Sequence, residues 1–355
     1  MRMMVGLLLF MLAACAQPGP EITELPAPTA AQPTLPAGYG ARPEARGLAD
    51  PRAVLFDPAS GRPLVVEGEA ARLSRVQPDG SLLPVAQGGG NGPWTSAAML
   101  DGKIYVAESG GPLGGRILRV GPDGGLKALT AKLPGGGTVG PLAAGTDGWL
   151  YVGVASASAG TERTRDIPCQ DVRIKGGGRM EGAVPCTGSV LRVRPDSGEV
   201  EVHAWGFRAP TGLAFAANGK LLVSDHLPQP QTADLLWQAV PGVWYGWPDF
   251  AGQLALADPQ LADIPNPPPP PLAQLPGDAA GIAAAADPAF GGTNQAFVAD
   301  GTGGINFTSL DSGETAQFAA NLQRPTAIAF SPDGALWVTD AGSGTLWRIS
   351  AMGAP

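Results

Sequence analysis

The sequence predicts an all-β chain, a six-bladed β-propeller with two long loop insertions. Three observations carry that prediction. Pro325–Asp340 reads PTAIAFSPDGALWVTD and Pro210–Asp225 reads PTGLAFAANGKLLVSD, so the two align over sixteen positions without a gap and share eight. Such a repeat sets the architecture, because each copy is a unit that must stack on its neighbours to bury its apolar face. The chain also holds 52 Gly and 37 Pro, with only 15% charged and 44% hydrophobic residues, a composition suited to many short strands joined by turns. Finally, Asp-Gly and Asn-Gly pairs recur between the apolar runs, supplying the positive φ that tight hairpins need.

In chain order, residues 1–14 read MRMMVGLLLFMLAA, one Arg ahead of a short apolar run and small residues. That is the pattern of an export signal, too short for a permanent membrane span. Cys15 follows in Leu12-Ala13-Ala14-Cys15, which resembles the bacterial lipobox, whose cysteine takes a lipid. The expectation is an exported lipoprotein held at the cell envelope, periplasmic or on the outer surface, with an ordinary signal peptide as the alternative. Residues 15–48 are rich in Pro, Ala and Glu without an apolar period, and read as a flexible tether. The propeller is assigned to residues 49–355.

Six copies of the repeat follow, their second strands centred on Leu64-Val65-Val66, Ile104-Tyr105-Val106, Leu150-Tyr151-Val152, Leu221-Leu222-Val223, Ala296-Phe297-Val298 and Leu336-Trp337-Val338. Third strands are expected from Arg72, Arg116, Ser189, Leu235, Gly304 and Thr345. Spacings of about 40 to 46 residues, where no insertion intervenes, suit four short strands per blade. The last copy stops at Ser350, one strand short, so residues ahead of Pro51 are expected to supply its outer strand and close the ring. The insertions are residues 157–186 and 251–279, the second containing the proline run Pro267–Pro271, which favours a stiff extended path.

Net charge is −8 with no Lys/Arg cluster, so the electrostatic footprint of a nucleic-acid binder is missing. Cys169 and Cys186 lie in the first insertion with no His or third Cys beside them; in an oxidising compartment a disulfide is their expected fate. Only two histidines exist, His203 and His226. His203 reads as a surface residue on an outer strand. His226 follows a second strand, where the chain opens into a loop, and is a candidate to line a site. The Gly135–Gly140 run lacks the following helix that a phosphate-binding loop requires.

The segments WGFRAPTGLAF from Trp205, LLVSDHLP from Leu221 and ADLLWQAVPGVWYGWPDF from Ala233 resemble, in this order, the glucose/sorbosone dehydrogenase family. The resemblance covers roughly residues 50–350, by the repeat criterion. It implies a six-bladed propeller holding pyrroloquinoline quinone (PQQ) and calcium on its top face and oxidising a sugar or similar alcohol. Arg208 would lie against the quinone oxygens and stabilise developing negative charge. Leu227 and Pro228 would offer backbone carbonyls to calcium, which prefers hard oxygens. Arg324 would grip a PQQ carboxylate as a bidentate fork, with Tyr245 and Trp247 also at the cofactor. For Trp244, Tyr245 and Trp247, a role as core or rim aromatics is the alternative.

The chain departs from the family pattern at several positions. Gly137 stands where a catalytic His is expected, Gly90 where a glutamine is, Ala209 where an Asn follows the arginine, and Thr326 where a second carboxylate-binding arginine sits. No lysine occurs in the fifth-blade segment ADGTGGINF. A glycine cannot accept a proton, so the base would come from His226 or Asp225, or turnover is lost. The expectation is a PQQ-dependent dehydrogenase with a degenerate site. The alternatives are a ligand- or protein-binding propeller and, last, a calcium-dependent lactonase built on acids such as Asp225, Asp300 and Asp340.

Overall fold

The computed structural model describes residues 31–110, 114–130, 133–134, 138–157, 186–228, 233–256 and 267–352. Cys15, Gly137 and Cys169, with the export and lipidation segment, lie outside the described residues. The described chain forms six four-stranded antiparallel sheets and one two-stranded ribbon, as the repeat predicts. Blade one runs Pro51–Phe56, Pro63–Glu67, Arg72–Val76 and Leu82–Gln87 from the inside outward. Blades two to five repeat that order, beginning at Trp94, Val139, Pro210 and Ala279.

Blade six consists of Pro325–Phe330, Leu336–Asp340 and Thr345–Ala351, and its outer strand is the N-terminal segment Tyr39–Ala45. The register Tyr39↔Ala351 to Ala45↔Leu346 is the closure expected from the missing strand. Tyr39 seals it, with its ring 5.0 Å from Phe318 and its hydroxyl donating to the Ala289 carbonyl. Thr34 also bridges to Ala320. The propeller therefore starts well before residue 49, inside the span assigned to a tether. The second insertion is likewise shorter than the sequence suggests: Ala273–Leu275 is the outer strand of blade four, paired with Asp234–Leu236.

Second strands such as Leu150–Val154 and Leu336–Asp340 are buried along their whole length. Each is packed between neighbouring blades on both faces, which explains their continuous apolar runs. Inner strands such as Trp94–Leu100 alternate instead, because one face looks into the central channel. The core is accordingly divided into clusters between blades, and the largest, between blades three and four, includes Tyr151, Phe207, Trp237, Tyr245 and Trp247. Cys186 is buried and disulfide-bonded, as expected of it.

His203 corrects the expectation of a surface residue. It does lie on an outer strand, Val200–Trp205, but it is buried, 5.0 Å edge-on to Tyr151, and its Nε2 has no hydrogen-bond partner. Burial first, then the charge of Arg192, pushes its pKa down to about 4. A neutral native His stabilises fully above the unfolded value near 6.5, and this is lost as pH falls toward 4. Urea unfolding of wild type should therefore lose up to about 3 kcal/mol over that window relative to His203→Phe. Parallel pH profiles for the two proteins would contradict this assignment.

Candidate functional site

The six inner strands enclose a cavity of about 400 Å³. Every one of them begins with a register slip: Pro51/Ala53, Trp94/Ser96, Val139/Leu142, Pro210/Gly212, Ala279/Ile282 and Pro325/Ala327. A bulge leaves a residue out of the ladder and re-aims its side chain. The residues so released include Arg52, Thr95, Gly140, Thr211, Ala280 and Thr326, and all six line the cavity.

The threonine hydroxyls of this ring are already used. Thr95 donates to the Val139 carbonyl and Thr326 to the Pro51 carbonyl at 2.6 Å, each latching one blade to the next. Thr211 lies 3.1 Å from Ser224 Oγ, which donates to the Ala280 carbonyl of the following blade at 3.0 Å. Among the described residues, the titratable side chains lining the cavity are Arg52, Asp278 and Arg324.

A second constraint shapes the mouth. Second strands end in Glu67, Glu108, Asp225, Asp300 and Asp340, all buried. Asp225 accepts the backbone N–H groups of Arg208 (3.2 Å) and Ala209 (2.7 Å), and Asp340 those of Gln323 (3.1 Å) and Arg324 (2.7 Å). Asp300 takes the Asp278 N–H at 3.0 Å and Glu67 the Ala49 N–H at 3.1 Å. Glu108 instead holds Asn91, Trp94 and Arg116. Each carboxylate thus fixes the loop entering its own blade's inner strand, through hydrogen bonds that a charged acceptor makes strong. Burial pushes Asp225 up to about 7 against its two backbone donors, with the charge of Asp234 adding to the rise. Glu67 is also opposed by burial, but Arg72, the Ala49 N–H and Ser74 hold it below the ordinary carboxylate range.

These positions revise the roles expected from sequence. Asp225 is an anchor for the Arg208 loop, with its oxygens engaged and 2% exposure, and is not placed to take a substrate proton. Asp225, Asp300 and Asp340 do not converge on the channel as a lactonase acid cluster would. Tyr245 and Trp247 are core residues: Tyr245 stacks on Phe207 at 4.6 Å and its hydroxyl donates to the Gln238 carbonyl, while Trp247 Nε1 donates to Ser156. Neither lines the cavity. Their segment braces the Arg208 loop, with Tyr245 and Trp247 N–H groups donating to the Trp205 and Gly206 carbonyls at 2.8 Å. Gly206 is required there, since its φ is +85° and a Cβ would lie 2.5 Å from the Trp244 ring.

Arg208 stands half-buried on this braced loop, and among the described residues no ion pair involves it. Its charge acts on His226. His226 Nδ1 lies 3.1 Å from Asp234 Oδ2 and 3.2 Å from Asp278 Oδ1. Asp234 is fully buried and also accepts the Leu227 and Ala279 N–H groups. The Asp234 hydrogen bond, ahead of the opposing burial, raises the His226 pKa. The three side chains place ligand atoms within 4.8 Å of one another.

Across the mouth, Arg324 is half-exposed and reaches Asp50 Oδ1 at 3.4 Å, while Arg52 Nε reaches Asp50 Oδ2 at 2.8 Å. Gly90 is exposed on the loop after blade one, outside the cavity lining. Sequence reasoning missed Arg52, Asp50, Asp234 and Asp278. Aligning Pro51-Arg52 with Pro325-Thr326 would have found Arg52; the two aspartates beside His226 belong to no motif.

No family model matches the chain. Over 67 residues, 18% of this chain, it is 42% identical to quinoprotein glucose dehydrogenase B of Acinetobacter calcoaceticus, and the match spans 14% of that protein's length. Among solved structures it is similar to the PQQ-bound aldose sugar dehydrogenase of Streptomyces coelicolor, with a TM-score of 0.66, 20% identity, and 89% and 100% of the two chains covered. The apo aldose sugar dehydrogenase of Escherichia coli gives 0.65 at 17% identity, covering 88% and 99%. The PQQ domain of a Coprinopsis cinerea pyranose dehydrogenase gives 0.64 at 14%, covering 90% and 97%. The chain thus has the six-bladed fold of soluble PQQ-dependent sugar dehydrogenases, as its motifs suggest.

Replacing Asp340 by Ala should strand the Gln323 and Arg324 N–H groups and lower unfolding free energy by about 2–3 kcal/mol. Urea denaturation checks this, and a change within about 0.5 kcal/mol would contradict the anchoring role.

Proposed function

We propose that the chain binds PQQ with calcium at the channel mouth and oxidises a hydroxyl of a small sugar or alcohol. One observation carries the reading: Arg52 and Arg324 line the 400 Å³ cavity and share the Asp50 carboxylate, while Arg208 and Arg324 sit on loops whose N–H groups are held by buried Asp225 and Asp340. PQQ is a planar tricarboxylate, and guanidinium forks suit such groups. Arg324 and Arg52 meet that need, and Arg208 offers a further positive charge beside His226. For calcium, the candidate donors are the carboxylates of Asp234 and Asp278, which lie together with His226; the Leu227 and Pro228 carbonyls, next along the chain from His226, would complete a hard-oxygen set.

When bound, the quinone would supply the two-electron acceptor. The chain's own residues would do the remaining work. Gly137 cannot act as base, and Asp225 is committed to the Arg208 loop. His226 is the candidate whose surroundings suit a general base, because Asp234 faces Nδ1 and leaves Nε2 to accept a hydroxyl proton. Arg208 would steady negative charge developing nearby. Envelope anchoring through Cys15 belongs to the same reading, supported by the sequence of residues 1–15.

A binding propeller without turnover is the second reading. It is favoured by the channel wall itself, where the hydroxyls of Thr95, Thr211 and Thr326 are already hydrogen-bonded and the other residues are largely Ala, Gly, Pro and aliphatic.

Protein reconstituted with PQQ and Ca²⁺ should reduce an acceptor dye in the presence of aldoses. His226→Asn should take up PQQ normally yet lose turnover by about 10²-fold or more. Stoichiometric PQQ uptake without dye reduction by any aldose or simple alcohol would establish the binding reading instead.

A further inference from the structure

We propose that Arg52 is the second arm of a carboxylate-binding fork whose first arm is Arg324; that its ligand is PQQ rests on the function proposed above. The bulges make Arg52 and Thr326 equivalent positions on adjacent blades, both facing the cavity. The two are in direct succession around the ring, since Thr326 donates to the carbonyl of Pro51, the residue before Arg52. Thr326 cannot serve an anion, because its hydroxyl is spent on Pro51 and Thr339. Of the six ring positions, blade one alone carries a charge.

The surroundings of Arg52 are built to hold it. Asp50 adopts a left-handed φ of 51°, uncommon for a residue with a side chain. Its carboxylate bridges Arg52 Nε at 2.8 Å and Arg324 Nη2 at 3.4 Å. Its carbonyl accepts the Gly68 N–H at 2.8 Å. At Gly68 a Cβ would lie 2.7 Å from Arg52 Cγ and 2.8 Å from Asp50 Oδ2, so only glycine leaves room for this pair. One carboxylate between two guanidiniums leaves a net positive charge. Among the described residues it also leaves most of their N–H donors unused, on side chains 40% and 51% exposed. An anionic group with planar, bidentate geometry is what such a fork recognises.

Titration of the intact protein with PQQ in Ca²⁺, followed by tryptophan fluorescence, tests the fork. In parallel, pyridine-2,6-dicarboxylate serves as a probe that carries carboxylates but no quinone. Wild type, Arg52→Gln, Arg52→Lys, Arg324→Gln and Gly68→Ala are compared, with thermal melts to confirm folding. The expected result is a loss of PQQ affinity of about tenfold or more in Arg52→Gln, matched by Arg324→Gln. Arg52→Lys should recover part of it, and Gly68→Ala should weaken binding with Arg52 still present. PQQ binding unchanged in folded Arg52→Gln would overturn the fork while leaving the quinone reading intact. If wild type binds the dicarboxylate but not PQQ, and Arg52→Gln weakens it, the fork stands and the quinone reading fails. If wild type binds neither, both fail.

Discussion

A carboxylate buried at the end of a second strand needs hydrogen-bond donors, and in this propeller four of five take backbone N–H groups from the loop leading into the same blade's inner strand. That constraint does two things at once. It satisfies a buried charge that would otherwise be costly, and it fixes the height and direction at which each inner strand enters the channel. The arginines at the mouth inherit their positions from it: Arg208 and Arg324 are themselves the residues whose N–H groups are held. Blade three ends its second strand in Val154 and lacks this anchor. There the Ala155 N–H donates to the Thr138 carbonyl at 2.9 Å, and the next N–H, of Ser156, donates to the Arg208 carbonyl at 2.7 Å, tying blade three to the loop entering blade four.

Sixfold repetition supplies the frame, and departures from it supply the chemistry. The bulge that opens every inner strand presents one position per blade to the channel. Small or hydroxyl residues fill five of them, and two of these, Thr95 and Thr326, latch their blades to the next. Arg52 breaks that pattern on blade one, next to Arg324, while His226, Asp234 and Asp278 break it between blades four and five. The two groups give the mouth a cationic side and a histidine–carboxylate side. A ligand carrying carboxylates at one end and metal-binding oxygens at another matches such a polarity. The fold alone would serve many functions; this asymmetry is specific to the chain.

The blades are legible in sequence because strand patterning and turn chemistry are local. All six second strands and all six third strands lie where the repeats put them, and the closing strand follows from the one that is missing. Boundaries are harder. Tyr39–Ala45 sits in a Pro- and Ala-rich stretch with no period of its own, and is a strand because Thr345–Ala351 offers it an edge. The burial of His203 is invisible in sequence because it depends on Tyr151, distant along the chain. The motif around Tyr245 and Trp247 suggests cofactor contacts because it is distinctive, but its distinctiveness comes from bracing. Gly206 and Gly246 each hold a positive φ that the packing of the two segments demands. Asp234 and Asp278 belong to no repeat motif, and only the fold brings them to His226.

If the cavity mouth, lined by Arg52 and Arg324, is a quinone site, a crystal structure of the protein soaked with PQQ and Ca²⁺ will reveal it most directly. Density is expected for a planar ligand held by these two arginines and reaching toward Arg208, with a cation near Asp234, Asp278 and the Leu227 carbonyl. An empty mouth at saturating PQQ, or ligand bound elsewhere on the propeller, would refute the quinone site.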